Sequence, residues 1–270
     1  MPLDISSLWD FSKPDRSEER FRAALETASP DEALILQTQI ARTYGLRRDF
    51  ARALKLLSGL ESQIADASAE AQARYFLELG RSFASATHPP ESQTPENLER
   101  ARSAYLRSFD VAKDNNLHSL AIDALHMMTF VDTAAEDQVE WNRKAIDFME
   151  ASTQPDAKKW AGALHNNMGY ALHLLRRYED ALAEFKLALA VHEQGGDPSK
   201  IRIAHWMIAW TLRAMNRLQE ALEIQLRLEK EWDDAGEPDP YVFEELELLY
   251  TALNDVERAE YFAARRKTRE

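Results

Sequence analysis

The chain has 270 residues, 45% of them hydrophobic, no cysteine, and a formal net charge of −13 at pH 7. That acidic balance argues against a protein built to grip a phosphate backbone, an affinity that comes from clustered Lys and Arg. The lack of cysteine excludes disulfides, thiolate nucleophiles and thiolate metal sites.

The N-terminus, MPLDISSLWDFSKPD, has neither the basic start nor the apolar run of a secretory signal. No stretch reaches the roughly 18 unbroken apolar residues that would span a bilayer. The sequence therefore reads as a soluble cytoplasmic protein without membrane or nucleic-acid partners. Its prolines act as punctuation. Ser29-Pro30-Asp31-Glu32 offers a Ser cap, Pro in the first turn and Glu three residues after the cap, and Thr94-Pro95, Asp197-Pro198 and Asp239-Pro240 repeat the cap-then-proline device. No proline interrupts a segment of helical periodicity, and neither sustained apolar alternation nor an Asn-Gly or Asp-Gly hairpin turn is present. The predicted fold is all-α.

In chain order, residues 1–14 are expected as a loose tail, with Leu8, Trp9 and Phe11 able to tuck against the first helices, and residues 15–270 as one domain. A helix near 15–28, carrying Phe21, Ala24 and Leu25, caps it. The first helix pair covers about 31–66, with Ala41 at a close approach, Phe50 in the turn, and Ala53, Leu57 and Leu60 as an i, i+4, i+7 stripe. The second, about 70–115, has Leu79-Gly80 at the approach and Ala101, Tyr105 and Ser108 as the stripe. Between its helices, Ser85-Ala86-Thr87-His88-Pro89-Pro90-Glu91-Ser92-Gln93 is too proline-rich to extend either one and is expected as an exposed loop, a tolerated insertion. The third pair, about 117–151, is irregular: His126 replaces the small residue, and Gln138 stands at the head of the stripe that ends in Ala145. The fourth contains the stretch Asn166–Ala188, in which Gly169 faces Ala181, Phe185 and Ala188, and Tyr178 closes the turn. The fifth, about 198–235, uses Ala209, Leu218, Ala221 and Leu228, with Gln225 in place of the aromatic. In the last, about 239–268, Glu247 and Ala259 fill these roles, as suits a terminal repeat with a wetter face. The ending Arg265-Arg266-Lys267-Thr268-Arg269 is expected to complement the last helix dipole.

A small residue in the first helix and an A…F…A stripe in the second resemble the tetratricopeptide repeat. The approach positions 41, 80, 126, 169, 209 and 247 step by 39, 46, 43, 40 and 38 residues, longer than the usual period of about 34. These extended units resemble the kinesin-light-chain subtype and the repeat domains of bacterial peptide-sensing regulators, and Leu164-His165-Asn166-Asn167-Met168-Gly169 is similar to that subtype's L-x-N-N-L-A run. The resemblance implies a right-handed α-solenoid, a superhelix of about six antiparallel helix pairs with an N-terminal capping helix. It also implies peptide contacts through Asn166 and Asn167.

If the second-helix stripes are buried, the first helices line a concave surface. Residues spaced i, i+4, i+7 along them then project into it: Thr38 and Arg42; Arg74 and Arg81; Asp123, Met127 and Phe130; Asn166, Tyr170 and His173; Trp206, Trp210 and Arg213; Glu244 and Leu248. Arg42, Arg74 and Arg81 with Asp123 and Met127 give a charged half; Asn166, Asn167, Tyr170, His173, Trp206, Trp210 and Arg213 give an aromatic half. Aromatics and Arg dominate many binding surfaces, so the expected partner is another protein or a peptide with acidic and apolar anchors. The competing reading buries Trp206 or Trp210 between repeats and pairs each Arg with a local carboxylate.

Enzyme chemistry finds no support. The seven histidines include no HExxH run; His173 could act as a general base with Tyr170 on the same helical face, but no nucleophile, oxyanion device or glycine-rich phosphate cradle accompanies them. No catalytic residue, metal ligand or cofactor is expected. Three functions remain: a protein–protein interaction scaffold holding a peptide or helical segment in its groove, a regulator responsive to a peptide or small ligand, and an oligomerising structural subunit whose self-interface uses Trp9, Trp141 or Trp232.

Overall fold

The computed structural model describes residues 3–267, and every regular element among them is helical. The chain divides into two compact units, residues 1–160 and 161–270. The first begins with α1 (Ile5–Leu8) and α2 (Pro14–Leu25), followed by α3 (Pro30–Leu46), α4 (Phe50–Ser58), α5 (Glu61–Ile64), α6 (Ala69–Phe83), α7 (Pro95–Asp114), α8 (His118–Met127), α9 (Ala135–Ala151) and α10 (Pro155–Lys158). The second consists of α11 (Ala161–Leu174), α12 (Tyr178–Gly195), α13 (Pro198–Ala214), α14 (Leu218–Asp234), α15 (Pro240–Ala252) and α16 (Val256–Lys267).

Prolines open α2, α3, α7, α10, α13 and α15, where the missing N–H would have had no partner in any case. At the start of α3, Ser29 and Glu32 form the reciprocal capping box, and Thr94, Asp197 and Asp239 cap α7, α13 and α15. The turns inside four pairs share one device. Arg48, Arg176, Asn216 and Asn254 each adopt positive φ two residues before the second helix. The next residue's N–H then reaches back to Tyr44, Leu172, Leu212 or Tyr250, as in a Schellman closure.

Small-to-large packing joins the pairs. Ala181, Phe185 and Ala188 on α12 are fully buried, and a Cβ at residue 169 would lie 2.7 Å from the Phe185 ring, so only glycine fits there. In the 1–160 unit the same relation holds between Gly80 and Tyr105, at 2.5 Å, and Ala101, Tyr105 and Ser108 are fully buried. Two polar residues of the stripes differ in fate. Ser108 donates to the Ala73 carbonyl at 2.8 Å, whereas Gln225, in the place of Phe185, is fully buried with neither amide atom hydrogen-bonded. The irregular third pair is shortened, α8 running at Met128–Phe130 into a 3-10 turn.

Several expectations need correction. From Leu3 onward the segment before α2 is not a loose tail: Trp9 packs against Phe11 and Phe21, and its indole N–H donates to Gln39 at 3.1 Å. The 85–93 insertion is docked, because His88 is buried, stacks on Phe50 with centroids 3.6 Å apart, and sets Nε2 against the Ser82 carbonyl, while Thr87 donates to the Gly45 carbonyl. Arg265 and Arg266 stand in the last turn of α16, where they complement the helix dipole, but they also reach across to neighbouring helices, Arg265 to Glu229 and Asp233 on α14 and Arg266 to Glu244 and Glu247 on α15. Thr268 and Arg269 lie outside the described residues. Trp9, Trp141 and Trp232 are not exposed for a self-interface. Each is half-buried and engaged within its own unit, Trp141 donating to Asp132 and Trp232 lying under the Arg202 guanidinium at 3.7 Å.

Candidate functional site

In the 1–160 unit, α3, α6 and α8 bring Arg42, Glu78, Arg81 and Asp123 together. Arg81 donates one arm to Glu78 at 2.6 Å and the other to Asp123, and Arg42 faces Glu78 at 3.7 Å. Glu78 is only 2% exposed and Asp123 8%. Two cations balance two anions, which is what lets charge persist where water is scarce. Burial alone would raise the Asp123 carboxyl, but Arg81 and Arg42 outweigh it and hold the group below its ordinary range. For Arg81 burial favours loss of the proton, and Asp123 and Glu78 overcome it. Arg42 is the less compensated cation: burial and the neighbouring Arg81 both depress it.

These residues line a cavity of about 260 Å³ together with Met127, Phe130, His126 and Trp160, closed at one end by Ser85, Ala86 and Thr87 of the docked insertion. Burial holds His126 below its ordinary value, favouring the neutral ring. An adjoining hollow is lined by Trp9, Phe11, Gln39, Arg42 and Arg74. The Arg42 guanidinium lies 5.6 Å from the Trp9 ring and 5.3 Å from that of Phe11, within cation–π range. Arg74 stands apart from the charge cluster and donates to Glu70 one turn earlier at 2.9 Å.

In the 161–270 unit the residues singled out from sequence form an aromatic ladder. Trp210 on α13 stacks on His173 of α11 with centroids 3.3 Å apart, and Tyr170 and Trp206 lie near-parallel to it at 5.8 and 5.9 Å. The Thr211 hydroxyl donates to the Met207 carbonyl, so its oxygen is left to accept from His173 Nδ1 at 3.1 Å. Burial, then Arg213, pushes the His173 imidazole down to about 4. Arg213 is bidentate on Glu245 of α15, at 2.8 and 2.7 Å. Asn166 and Asn167 are half-buried on α11. Along the same first helices, Tyr170 is 45% exposed, Ile203 51%, Tyr241 65% and Leu248 41%. Ile203, Trp206 and Trp210, like Tyr241, Glu244 and Leu248, fall at i, i+3, i+7 on one helical face. An apolar strip thus runs over α11, α13 and α15 with its charges already paired.

The structure thus groups Arg42, Arg81, Asp123 and Met127 around one cavity, and Tyr170, His173, Trp206 and Trp210 in one stack. Met127 is buried at the cavity wall. Thr38 is not on the face at all: it is fully buried with its hydroxyl on the Ile35 carbonyl, and Gln39 takes its place beside Arg42. Sequence reasoning missed Glu78, Trp160 and the contribution of Trp9 and Phe11. His173 is sealed between Trp210 and Thr211, which leaves it poorly placed as a general base. Among the described residues no group of three or more His, Asp or Glu could hold a metal ion, and no helix is long and apolar enough to cross a membrane.

No curated protein matches the chain by sequence. Residues 160–229 match the family model for the tetratricopeptide repeat. Among solved structures, the apo form of RapI superposes with a TM-score of 0.68 at 12% identity, over 94% of this chain and 69% of that one. Aspartyl phosphate phosphatase F from Bacillus subtilis gives 0.59 at 15% identity, over 98% and 76%. At such identities the likeness establishes fold alone. The helix pairs, their small-to-large crossings and these matches together give the chain the all-helical fold of tetratricopeptide-repeat solenoids, with the repeat itself matched over residues 160–229.

Proposed function

We propose that the chain is a protein-interaction scaffold that holds a peptide or a single helical segment of another protein against the first helices of its repeats, by preformed surface and without chemistry. The observation that carries this reading is the apolar strip over α11, α13 and α15, in which Tyr170 stacks on Trp210 beside Trp206, and Tyr170, Ile203, Tyr241 and Leu248 stay exposed. Contiguous exposed apolar side chains on one face mark interaction surfaces, and rigid stacked aromatics lose little conformational entropy when a partner covers them. The pairing of Arg213 with Glu245 removes the one cation of this strip that an acidic anchor would have sought. The favoured guest of the 161–270 unit is therefore apolar or aromatic; of the arginines expected to meet an acidic anchor, Arg74, Arg81 and Arg213 donate to carboxylates and Arg42 makes no hydrogen bond to one among the described residues.

The test is selection of binding peptides from a random displayed library on the immobilised full chain, followed by titration of the best peptide against Tyr170→Ala and Leu248→Ala. Both side chains are exposed, so their loss leaves the fold intact, and each variant is expected to weaken binding roughly 10-fold. A selected peptide whose affinity neither substitution alters would remove the strip as the binding face.

A further inference from the structure

We propose that the cavity between α3, α6 and α8 binds a free α-amino acid with a large apolar side chain, its carboxylate on Arg42 and its ammonium on Glu78 and Asp123. The proposal goes beyond the peptide reading, which rests on the 161–270 unit, and either can fail without the other.

The charge cluster is balanced but not satisfied. Arg81 is fully used, with one arm on each carboxylate. Arg42 has no hydrogen bond among the described residues, and its 3.7 Å separation from Glu78 Oε1 is too long for one. Glu78 lines the cavity, is 2% exposed, and its Oε2 has no hydrogen-bond partner. Asp123 spends Oδ1 on Arg81, leaving Oδ2 to accept. A buried charged oxygen without a donor is costly, so the unliganded site is short of one donor at Glu78, while the Arg42 guanidinium, a quarter exposed, is open to a new acceptor.

A guest of net charge would upset the balance of two cations and two anions and leave one buried charge uncompensated. A zwitterion would not. The charges of an α-amino acid are a single carbon apart, which suits a guanidinium and a carboxylate 3.7 Å from each other. The two ends of a peptide lie on different residues, so a peptide would bring only one of the charges. The volume of about 260 Å³ is below the range of about 300–1,000 Å³ typical of drug-sized ligands, and Met127, Phe130 and Trp160 offer apolar wall to a side chain. Trp9 and Phe11 lie against the Arg42 guanidinium and hold it at the cavity edge.

The experiment is isothermal titration of the full chain with L-phenylalanine, L-leucine, N-acetyl-L-phenylalanine and L-phenylalanine amide. At least one free amino acid should bind saturably, and blocking either end should weaken binding roughly 10- to 100-fold, the worth of a charge-assisted contact. Arg42→Gln should weaken it to the same degree in protein whose circular dichroism shows the helical fold retained, and Phe130→Ala should lower affinity for phenylalanine while sparing glycine. No saturable binding of any free amino acid overturns the proposal. Binding of the N-acetyl derivative as tight as that of phenylalanine also overturns it, by showing a carboxylate site alone.

Discussion

The two units use equivalent helices in opposite ways. In residues 1–160 the first helices of successive pairs are joined by buried charge, Arg42 to Glu78 and Arg81 to Asp123, around a small cavity walled by an insertion. In residues 161–270 they are joined by stacked rings, with a single bidentate ion pair beyond. The repeat fixes where first helices meet but leaves the chemistry of the meeting open. A charged junction creates a polar pocket suited to a small guest, and a ring junction creates a flat apolar strip suited to a chain.

The sharpest way to break this comparison is to remove the central cation of each junction. Arg81→Met strands Glu78 and Asp123 in the interior and should cost about 3–5 kcal/mol, read by urea unfolding. Arg213→Met strands Glu245 alone and should cost clearly less. Glu245 is itself only 3% exposed, so equal losses would mean that stranding a second carboxylate adds nothing to the cost of stranding one.

Acid should separate the junctions next. The His173 ring is held down to about 4 in the folded state and returns to about 6.5 when unfolded. The unfolded chain therefore binds more protons between those values, so stability from this residue is complete above about pH 6.5 and lost as pH falls toward 4, by at most about 3 kcal/mol. His88, His126, His192 and His205 are depressed by burial as well and act in the same direction. Replacing His173 with Gln should flatten the acid limb of the stability profile, followed by melting temperature from pH 7 to pH 4. An unchanged slope would show that the ring titrates freely.

At the helix crossings the units should agree in sign and differ in size. Gly169→Leu drives a side chain into Phe185 and should cost about 1–3 kcal/mol. Gly80→Leu should cost more, because the Tyr105 ring it meets is tied through its hydroxyl to the Ala84 carbonyl and cannot swing aside. Leucine at Ser92, in the insertion, should be tolerated. The smallest effects should have opposite signs. Ser108→Ala loses a satisfied buried bond and should destabilise by about 1 kcal/mol, while Gln225→Met removes two unmet polar atoms and should stabilise by about as much. Chemical denaturation of the two variants reads the difference, and a loss at both positions would place a bound water on Gln225.

Local patterns made much of this legible. Cap-then-proline starts and stripes such as Ala181, Phe185 and Ala188 involve residues within two turns of each other, so helices, pairs and crossings could be read directly from the sequence. The buried network could not. Glu78 lies three residues before Arg81, the spacing of an ordinary solvated pair, and its burial depends on α3 and α8, which are distant in sequence. Thr38 was placed one residue off around its helix, an error that periodicity alone does not correct. The positive-φ turns were half-readable, since Asn216 and Asn254 favour that conformation whereas Arg48 and Arg176 carry no such signal. His88 gave no hint that an insertion rich in Pro and Ser would dock.

The central claim, that first helices present the binding face, is tested most directly by following the tryptophan indole N–H resonances while a selected peptide is titrated into the labelled full chain. The signals of Trp206 and Trp210 should shift saturably while those of Trp141, bonded to Asp132, and Trp232, beneath Arg202, stay in place. Movement of Trp141 or Trp232 with Trp206 and Trp210 unperturbed would put the partner on a different surface and contradict it.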